Sequence, residues 1–448
     1  MAETELSRRR RMLVLAICCL SLFIVGLDAT IVNVALPSIQ RDLHAPVSGL
    51  QWTVDAYTLV VASFLLLSGS TADRVGRRRI FQTGLGLFTL GSLLCSLAPS
   101  LGWLVVFRML QALGGSMLNP VAMSIITNTF TDRAERARAI GVWGAVWGVA
   151  LALGPIAGGA LVTSVGWRGI FWVNIPVGIA AIILTALFVP ESRAARARRL
   201  DAVGQLLVIL TLASLVYGII EAPASGWTSA KILSAFALAI VALTSLIIYE
   251  PRQREPLIEL RFFRSAPFSG ATVIAICAFA ALGGFLFLNT LYLQDVRGYS
   301  PLHAGLYMLP LAAMTVLLAP LSGRIVAARG PRLPIVVGGV ATLAGGIMLT
   351  RLSPSTPISW LIPSYLVFGI GAGMVNPPIT NTAVSGMPVS QAGVAAGIAS
   401  TSRQVGTALG VAILAVGLVS TGRWARETAE RTADRMMPAS PQVRVTAP

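Results

Sequence analysis

The sequence is poor in charged residues and in the residue types that build most metal sites and disulfides. Only 12% of its 448 residues are charged, and it contains 2 histidines and 4 cysteines. This scarcity of charge excludes an ordinary soluble domain, in which about a quarter of the residues are charged. All the cysteines lie inside apolar runs without metal-ligand spacing. We therefore predict neither a disulfide framework nor a metal site.

Acidic residues are especially few, 18 against 34 basic residues, which gives a formal net charge of +16. On a soluble protein this excess would indicate a nucleic-acid partner. Here the basic residues lie in short segments between apolar runs, so they are better explained as determinants of membrane orientation. Placing the N-terminus inside puts 22 basic residues on the inner side and 5 on the outer side. We predict a cell-membrane protein with a cytoplasmic N-terminus and no nucleic-acid partner.

What the sequence does contain is long hydrophobic runs, since 55% of its residues are hydrophobic. We count thirteen runs of membrane-spanning length: 12–34, 51–69, 80–98, 101–122, 139–163, 170–190, 203–221, 231–249, 268–291, 303–323, 333–350, 359–378 and 395–419. Lipid forces every backbone polar group to pair within its own segment, so these runs should be helices. The predicted fold class is an all-α polytopic membrane protein.

The chain repeats itself at an offset of 254 to 257 residues. Leu67-Ser68-Gly69 recurs as Leu321-Ser322-Gly323, and Gly141 recurs as Gly397. Two six-helix halves separated by two inserted helices explain this offset, and paired halves are typical of transporters. The predicted units are residues 1–192 (spans 1 to 6), 193–265 (the central pair), 266–420 (spans 9 to 13) and 421–448 (a polar tail). Nothing in the second half matches the sixth span, so we expect its last helix to be missing.

The first span carries one charged residue, Asp28, in a stretch that is otherwise apolar or small. An ionised carboxylate at the centre of a membrane helix costs roughly 2.5–3.5 kcal/mol on insertion scales. Such residues normally face a bundle interior and mark a substrate or proton path. The alternative is a structural carboxylate that bonds to Thr30, Asn33 or a neighbouring helix.

Two further charges are expected at the depth of Asp28. By helical rise, Asp28 lies roughly 24 Å from the inner end of its span, and Arg108 lies roughly 10 Å inside the fourth span. Asp55 lies near the outer start of the second span. Burial and a nearby arginine shift the proton affinity of a carboxyl group in opposite directions, so such a cluster is suited to proton coupling. The second half has Leu282 and Tyr365 at the positions equivalent to Asp28 and Arg108, which places the proton chemistry in the first half.

The segment after the second span carries the glycines Gly69 and Gly76 with the charged residues Asp73, Arg74 and Arg77. Glycine permits a tight turn, and Asp73 can pair with Arg77 or with a neighbouring helix start. We predict a cytoplasmic gating loop that breaks and reforms as the halves move. The alternative is a topological anchor of positive charge.

The fifth span is rich in small residues, which let helix backbones approach closely. The predicted packing and switching residues are Gly148, Gly154, Pro155, Gly158 and Gly159. Packing alone could also explain this stripe. Two weaker candidates are Glu221, for which we expect a solvated position, and Arg403, which either faces a cavity or reaches the cytoplasmic surface.

These motifs resemble those of the EmrB/QacA-type drug:proton antiporters of the major facilitator superfamily. The matching stretches are Leu27 to Pro37, Gly69 to Arg79, Arg108 with Gln111 and Gly114, Gly148 to Gly159, Trp167 to Pro176, and Tyr292 to Gln294 with Gly298 to Pro301. The resemblance implies fourteen spans, export from the cytoplasm and proton exchange. It also implies that Asp28 and Asp55 are proton or cation sites and that Arg108 takes part in proton transfer.

The predicted function is proton-coupled efflux of hydrophobic drugs or antibiotics, including cationic ones. No nucleophile, metal or cofactor cluster indicates an enzyme, and the proton gradient replaces a cofactor as the energy source. The expected partners are the lipid bilayer, small hydrophobic substrates and protons, with a monomeric chain. The alternatives are proton-coupled transport of a nutrient or metabolite by the same fold, and a truncated, inactive member.

Overall fold

The computed structural model describes residues 7–194, 201–385 and 395–417, which form helices and connecting loops without a strand. The first group of helices comprises α1 (Arg8–Leu43), α2 (Val47–Val75), α3 (Arg77–Ser96), α4 (Leu101–Thr129), α5 (Arg133–Val165), α6 (Gly169–Trp172) and α7 (Asn174–Phe188). The central pair is α8 (Ala202–Ser225) and α9 (Ala230–Tyr249). The last group comprises α10 (Ala266–Leu291), α11 (Pro301–Tyr307), α12 (Leu309–Arg329), α13 (Arg332–Leu349), α14 (Ile358–Val384) and α15 (395–417). The predicted all-helical class is confirmed.

Eleven segments of the described chain are long and apolar enough to cross a membrane. The other two predicted spans are represented by α3 and α15. Two spans consist of a short and a long helix, because α6 meets α7 at Val173 and α11 meets α12 at Met308. The polar tail over 421–448, and with it the expectation of a missing last helix, lies outside the described residues.

The helices before residue 194 pack mainly with one another and form what we call the N-terminal bundle. In it α3 and α2 pack on α4, and α5 packs on α1. The helices α10 to α15 form the C-terminal bundle, in which α12 and α13 pack on α14. Helix α15 lies against α10, where Gly406 faces the backbone of Ile276 and Gly410 faces the backbone of Ala280.

The two bundles meet closely at the end of the molecule that carries the turn between α1 and α2, which we call the distal end. The amide of Gln294, in the π-helical turn Tyr292–Val296, donates to the backbone oxygen of Val34 at 2.8 Å. The amide of Gln51 donates to the backbone oxygen of Ala412 at 3.2 Å. Both bonds are buried and cross between the bundles, so they hold the bundles together at the distal end.

Helix α8 covers one seam between the bundles, the one formed by α2 and α15. Its Gln205 donates to the backbone oxygen of Ser63 at 2.7 Å, and its Glu221 accepts a bond from the Trp52 indole at 3.0 Å. Apolar side chains of α2, α8 and α15 form one cluster there. The solvated position expected for Glu221 is therefore wrong, since its side chain is half-buried against α2.

Candidate functional site

The centre of the N-terminal bundle contains a buried ion pair between Asp28 on α1 and Arg108 on α4. The Nη1 of Arg108 lies 2.6 Å from the Oδ2 of Asp28. Asp28 is 0% exposed and Arg108 is 2% exposed. Removing two charges from water is costly unless further hydrogen bonds satisfy their remaining polar groups. The pair should therefore be enclosed by a polar network.

That network is present and is made by side chains of α3, α4 and α7. The amide of Gln111 on α4 donates to the Oδ1 of Asp28 at 2.8 Å, and the amide of Asn174 on α7 donates to the same oxygen at 3.0 Å. Both amides also donate to the hydroxyl of Ser92 on α3, at 2.6 and 3.1 Å respectively. All four of these side chains are fully buried. The carboxylate of Asp28 is thus held by three donors from α4 and α7.

Helix α2 closes the arginine side of the pair. The Nε of Arg108 donates to the backbone oxygen of Thr53 at 3.3 Å. Its guanidinium carbon lies 4.2 Å from the centroid of the Tyr57 ring, within the range of a cation–π contact. The guanidinium therefore bridges α1 and α2 from its position on α4.

Close helix packing sets the position of the amide that links the network. A Cβ atom placed on Gly91 of α3 would lie 2.5 Å from the Cα of Gln111 on α4. Only a residue without a side chain lets the two backbones come this close. Gly91 therefore fixes how far Gln111 reaches towards Asp28 and Ser92.

The structural alternative considered for Asp28 receives no support from its neighbours on α1. Thr30 donates to the backbone oxygen of Leu27 at 3.2 Å, and the amide of Asn33 donates to that of Ala29 at 3.1 Å. The partners of Asp28 come instead from α4 and α7, so the part of the structural alternative that named a neighbouring helix agrees with the geometry. Arg108 and Gln111 were recognisable from the sequence, whereas Ser92 and Asn174 were not. Asn174 lies inside the matched stretch Trp167 to Pro176, which was its one available signal.

Asp55 does not join this network. It is fully buried on α2, yet neither of its carboxylate oxygens has a hydrogen-bond partner in the described part of the chain. Arg108 contacts the α2 backbone at Thr53 and not the Asp55 carboxylate. The structure brings Asp28 and Arg108 together and leaves Asp55 as a separate, unpaired acid.

The loop motif after α2 is held by hydrogen bonds to the segment after α7. Arg77 pairs with Asp73 through Nε at 3.0 Å and Nη2 at 2.9 Å, which is one of the two pairings expected for Asp73. The backbone N–H of Arg77 donates to the oxygen of Ser192 at 2.9 Å. Gly76 has a φ of 131°, and a Cβ on it would lie 2.8 Å from the Glu191 carboxylate.

Gly69 and Arg74 take less part in these contacts. A Cβ on Gly69 would lie 3.7 Å from Pro120 of α4, an ordinary contact distance. Arg74 lies in the last turn of α2 with its side chain exposed. A positive charge in the last turn of a helix interacts favourably with the helix dipole. The close contacts of this motif therefore centre on Asp73, Gly76 and Arg77.

The small residues of α5 face both bundles. Gly154 and Gly158 lie against Thr30 and Ile31 of α1. On another side of α5, a Cβ on Gly159 would lie 2.5 Å from the backbone oxygen of Pro301, at the start of α11.

Two more of the predicted α5 residues lie along the same seam. The backbone of Pro155 lies against Gly305 of α11, and Gly148 lies near Val316 of α12. Helix α5 is therefore the main element through which the N-terminal bundle touches α11 and α12.

No set of three or more His, Cys, Asp or Glu residues in the described ranges could hold a metal ion. The buried polar groups instead form an ion pair, an amide network and an unpaired carboxyl inside a helical bundle. Within a membrane, such groups are suited to bind protons or small cations and to change partners when the bundles move.

Three kinds of comparison place this architecture among known proteins. Residues 18–411 match the family described as the Major Facilitator Superfamily. The chain is 38% identical over 430 residues to the "Multidrug resistance protein Stp" of Mycobacterium tuberculosis, covering 96% of this chain and 79% of that protein. It is 38% identical over 419 residues to the "Tetracenomycin C resistance and export protein" of Streptomyces glaucescens, covering 92% of this chain and 78% of that protein.

Solved structures agree at the level of the fold. A bacterial homologue of the human lysosomal transporter Spinster, in an inward-facing and occupied conformation, superposes with a TM-score of 0.68. The match covers 96% of this chain and 87% of that structure at 19% sequence identity. A D-xylose–proton symporter superposes with a TM-score of 0.65, covering 90% of each chain at 13% identity. The sequence family and the shared helical architecture establish that this chain belongs to the major facilitator superfamily.

Proposed function

We propose that this protein is a proton-coupled exporter of hydrophobic drugs or antibiotics, cationic ones included, in the cell membrane. Within the superfamily, we place it in the EmrB/QacA-type antiporters, as the motif set indicates. The N-terminus lies in the cytoplasm, the chain acts as a monomer, and the proton gradient supplies the energy. The moving halves are residues 1–192 and 266–420, with the central pair in 193–265.

The observation that carries this proposal is the enclosed Asp28–Arg108 pair. Its 2.6 Å contact is buried among side chains of four helices. A stable fold does not need such a pair, because replacing a buried ion pair by apolar residues is often neutral or stabilising. Intramembrane charges are characteristic of proton relays and substrate paths. The names of the two relatives describe drug resistance and, for the second, export, which supports the direction of transport.

The geometry gives the two acids different roles in our proposal. Asp28 is held by Arg108, Gln111 and Asn174, so any change in its protonation must rearrange that network. Asp55 has no hydrogen-bond partner in the described ranges, and burying an isolated charge is costly. A proton or a cationic group of the substrate would relieve that cost. Asp55 is thus the acid that accepts a ligand, and Asp28 is the acid that couples its state to α4 and α7.

Movement between the halves requires surfaces that can part and meet again. Helix α5 provides one such surface through its glycines, and the distal hydrogen bonds of Gln294 and Gln51 provide another. At the opposite end, the Asp73–Arg77 pair and its link to Ser192 connect α2, α3 and the segment after α7 within the N-terminal bundle, where a gating loop would rearrange as the halves move. We propose that these contacts break and reform once per transport cycle.

Everted membrane vesicles with an imposed pH gradient test the proposal. We expect the unmodified chain to drive uptake of ethidium or rhodamine 123 into such vesicles and the Asp28→Asn variant to lose this activity while remaining in the membrane. Asp42→Asn is a matched control. Asp42 pairs with Arg168 at 2.7 Å near the end of α1, outside the network of Asp28. Gradient-driven uptake into right-side-out vesicles, or wild-type rates in Asp28→Asn, would contradict the proposal.

A further inference from the structure

The C-terminal bundle contains a membrane arginine that has no acidic partner among the residues that the structure describes. Arg403 lies on α15, and its Nη1 donates to the Thr380 hydroxyl of α14 at 3.0 Å. Its guanidinium carbon lies 5.9 Å from the centroid of the Phe279 ring of α10. No described carboxylate lies within ion-pair distance of it. A guanidinium has five N–H donors, so most of its capacity is unused.

The contrast with Arg108 shows what a satisfied membrane arginine looks like in this chain. Arg108 has a carboxylate, an amide oxygen, a backbone oxygen and an aromatic face as partners. Arg403 has one hydroxyl and a distant aromatic ring. A charged side chain within a membrane is costly, and such residues normally pair with one another or with backbone oxygens. The positive charge of Arg403 is therefore available to a group from outside the chain.

The internal repeat indicates that packing does not require this arginine. The offset of 256 residues that relates Gly141 to Gly397 places Trp147 of α5 at the position of Arg403. A Cβ on Gly26 of α1 would lie 3.0 Å from the Trp147 ring, so the equivalent position in the first half is filled by an aromatic side chain. In the second half a cation occupies that place, beside Phe279.

The surroundings of Arg403 suit a molecule with both an apolar body and a polar end. Phe279 also lines a small cavity, together with Leu282, Val375 and the amide-bearing Asn376. Arg403 itself is only partly buried. It lies eight residues from the start of α15 at residue 395, and Thr380 lies four residues before the end of α14. The site is thus in the half of the bundle opposite to the closed distal end.

We propose that Arg403, Thr380 and Phe279 form a recognition site for an anionic group, a carboxylate or phenolate, on an amphipathic substrate. A guanidinium binds such groups through paired hydrogen bonds and is only weakly hydrated. The Thr380 hydroxyl orients the guanidinium, and Phe279 packs against the apolar body of the ligand. This inference rests on the proposed function in one respect, because it takes the ligand to be a transported substrate. It widens the expected substrates from neutral and cationic compounds to acidic ones.

A pair of dyes with one scaffold and opposite charge tests the site. Fluorescein is an anionic xanthene and rhodamine 123 is a cationic xanthene, and their binding to the purified full-length protein is measured by fluorescence anisotropy. For Arg403→Gln we expect roughly tenfold or greater weakening of fluorescein binding, the scale of a lost hydrogen bond to a charged group. The ratio of fluorescein to rhodamine affinity should fall with it. Arg403→Lys should retain part of the affinity, since a lysine keeps the charge but loses the planar fork.

Arg351→Gln is the matched control because it removes the same charge from an exposed turn after α13. The inference is wrong if the unmodified protein does not bind fluorescein, or if Arg403→Gln and Arg351→Gln weaken its binding equally. Equal loss of both dyes in Arg403→Gln, together with a lower unfolding temperature, would assign Arg403 a structural role instead. Selective loss of fluorescein binding without gradient-driven transport in the unmodified chain would support the site and contradict the proposed function.

Discussion

Asp28 and Asp55 are both fully buried in the N-terminal bundle, but their carboxylates differ in their hydrogen bonding. Asp28 accepts hydrogen bonds from Arg108, Gln111 and Asn174, whereas neither oxygen of Asp55 has a described partner. Removing a buried group that has partners leaves those partners unsatisfied. Removing a buried group that has no partners leaves no other group unsatisfied. The two acids should therefore respond differently to the same substitution.

Asp55→Asn should leave thermal stability unchanged or raise it, while Asp28→Asn should lower it. The first change removes an isolated buried carboxylate, and the second removes the counter-ion of a buried guanidinium. The apparent unfolding midpoint in detergent, followed by tryptophan fluorescence, measures both. Equal falls in the midpoint would mean that Asp55 has partners of similar strength.

The Asp28–Arg108 contact should show strong coupling in a double-mutant cycle. Arg108→Gln alone leaves a buried carboxylate uncompensated, which typically costs about 3–5 kcal/mol. Asp28→Asn combined with Arg108→Gln should cost less than the sum of the single changes, because no charge remains unpaired. The unfolding midpoints of the three variants give this comparison. Additive effects would show that the two side chains act independently.

Gly76→Ala should slow transport with little change in substrate affinity. The backbone of Gly76 has a φ of 131°, and a Cβ there would press on the Glu191 carboxylate. The strain falls on the gating loop, so conformational switching is affected and binding is not. Gly86→Ala on α3 is the control, since a Cβ there meets nothing within 4 Å. A large loss of affinity with unchanged turnover would point to a binding role.

Gly159→Ala should weaken the contact between the bundles at the distal end. A methyl group at this position would lie 2.5 Å from the Pro301 oxygen, a distance that forces α5 and α11 apart. We expect a cysteine introduced at the start of α11 to become more reactive to a water-soluble maleimide in this variant. Gly144→Ala on the same helix, where a Cβ meets open space, should react as the parent does. Unchanged labelling in Gly159→Ala would show that this contact does not keep α5 and α11 together.

The sequence was sufficient to predict the helical class and the charged pair at the centre of the N-terminal bundle. A lone acid in the first apolar run and an arginine in the fourth are visible without a structure, because charges within such runs are rare. Helical rise placed Asp28 and Arg108 at one depth, and they pair in the structure. The same reasoning placed Asp55 with them, but depth does not specify the direction in which a side chain points. That direction depends on how the helices rotate against each other.

The partners that complete the network were harder to recognise for the same reason. Ser92 and Asn174 are ordinary polar residues in helical segments, and they matter only because α3 and α7 pack beside α4. The position of Glu221 was mispredicted because its partner, Trp52, is 169 residues away in sequence. Contacts between distant segments become visible only when the tertiary arrangement is known.

Helix α8 separates one junction between the bundles from the surrounding lipid. At the junction of α2 and α15, α8 is tied to α2 by Gln205 and Glu221. The side chains of Val203 and Leu206 on α8 are exposed, so the apolar surface presented to the bilayer there belongs to α8. A hydrophobic compound diffusing in the plane of the bilayer therefore meets α8 on this flank before it reaches α2 or α15.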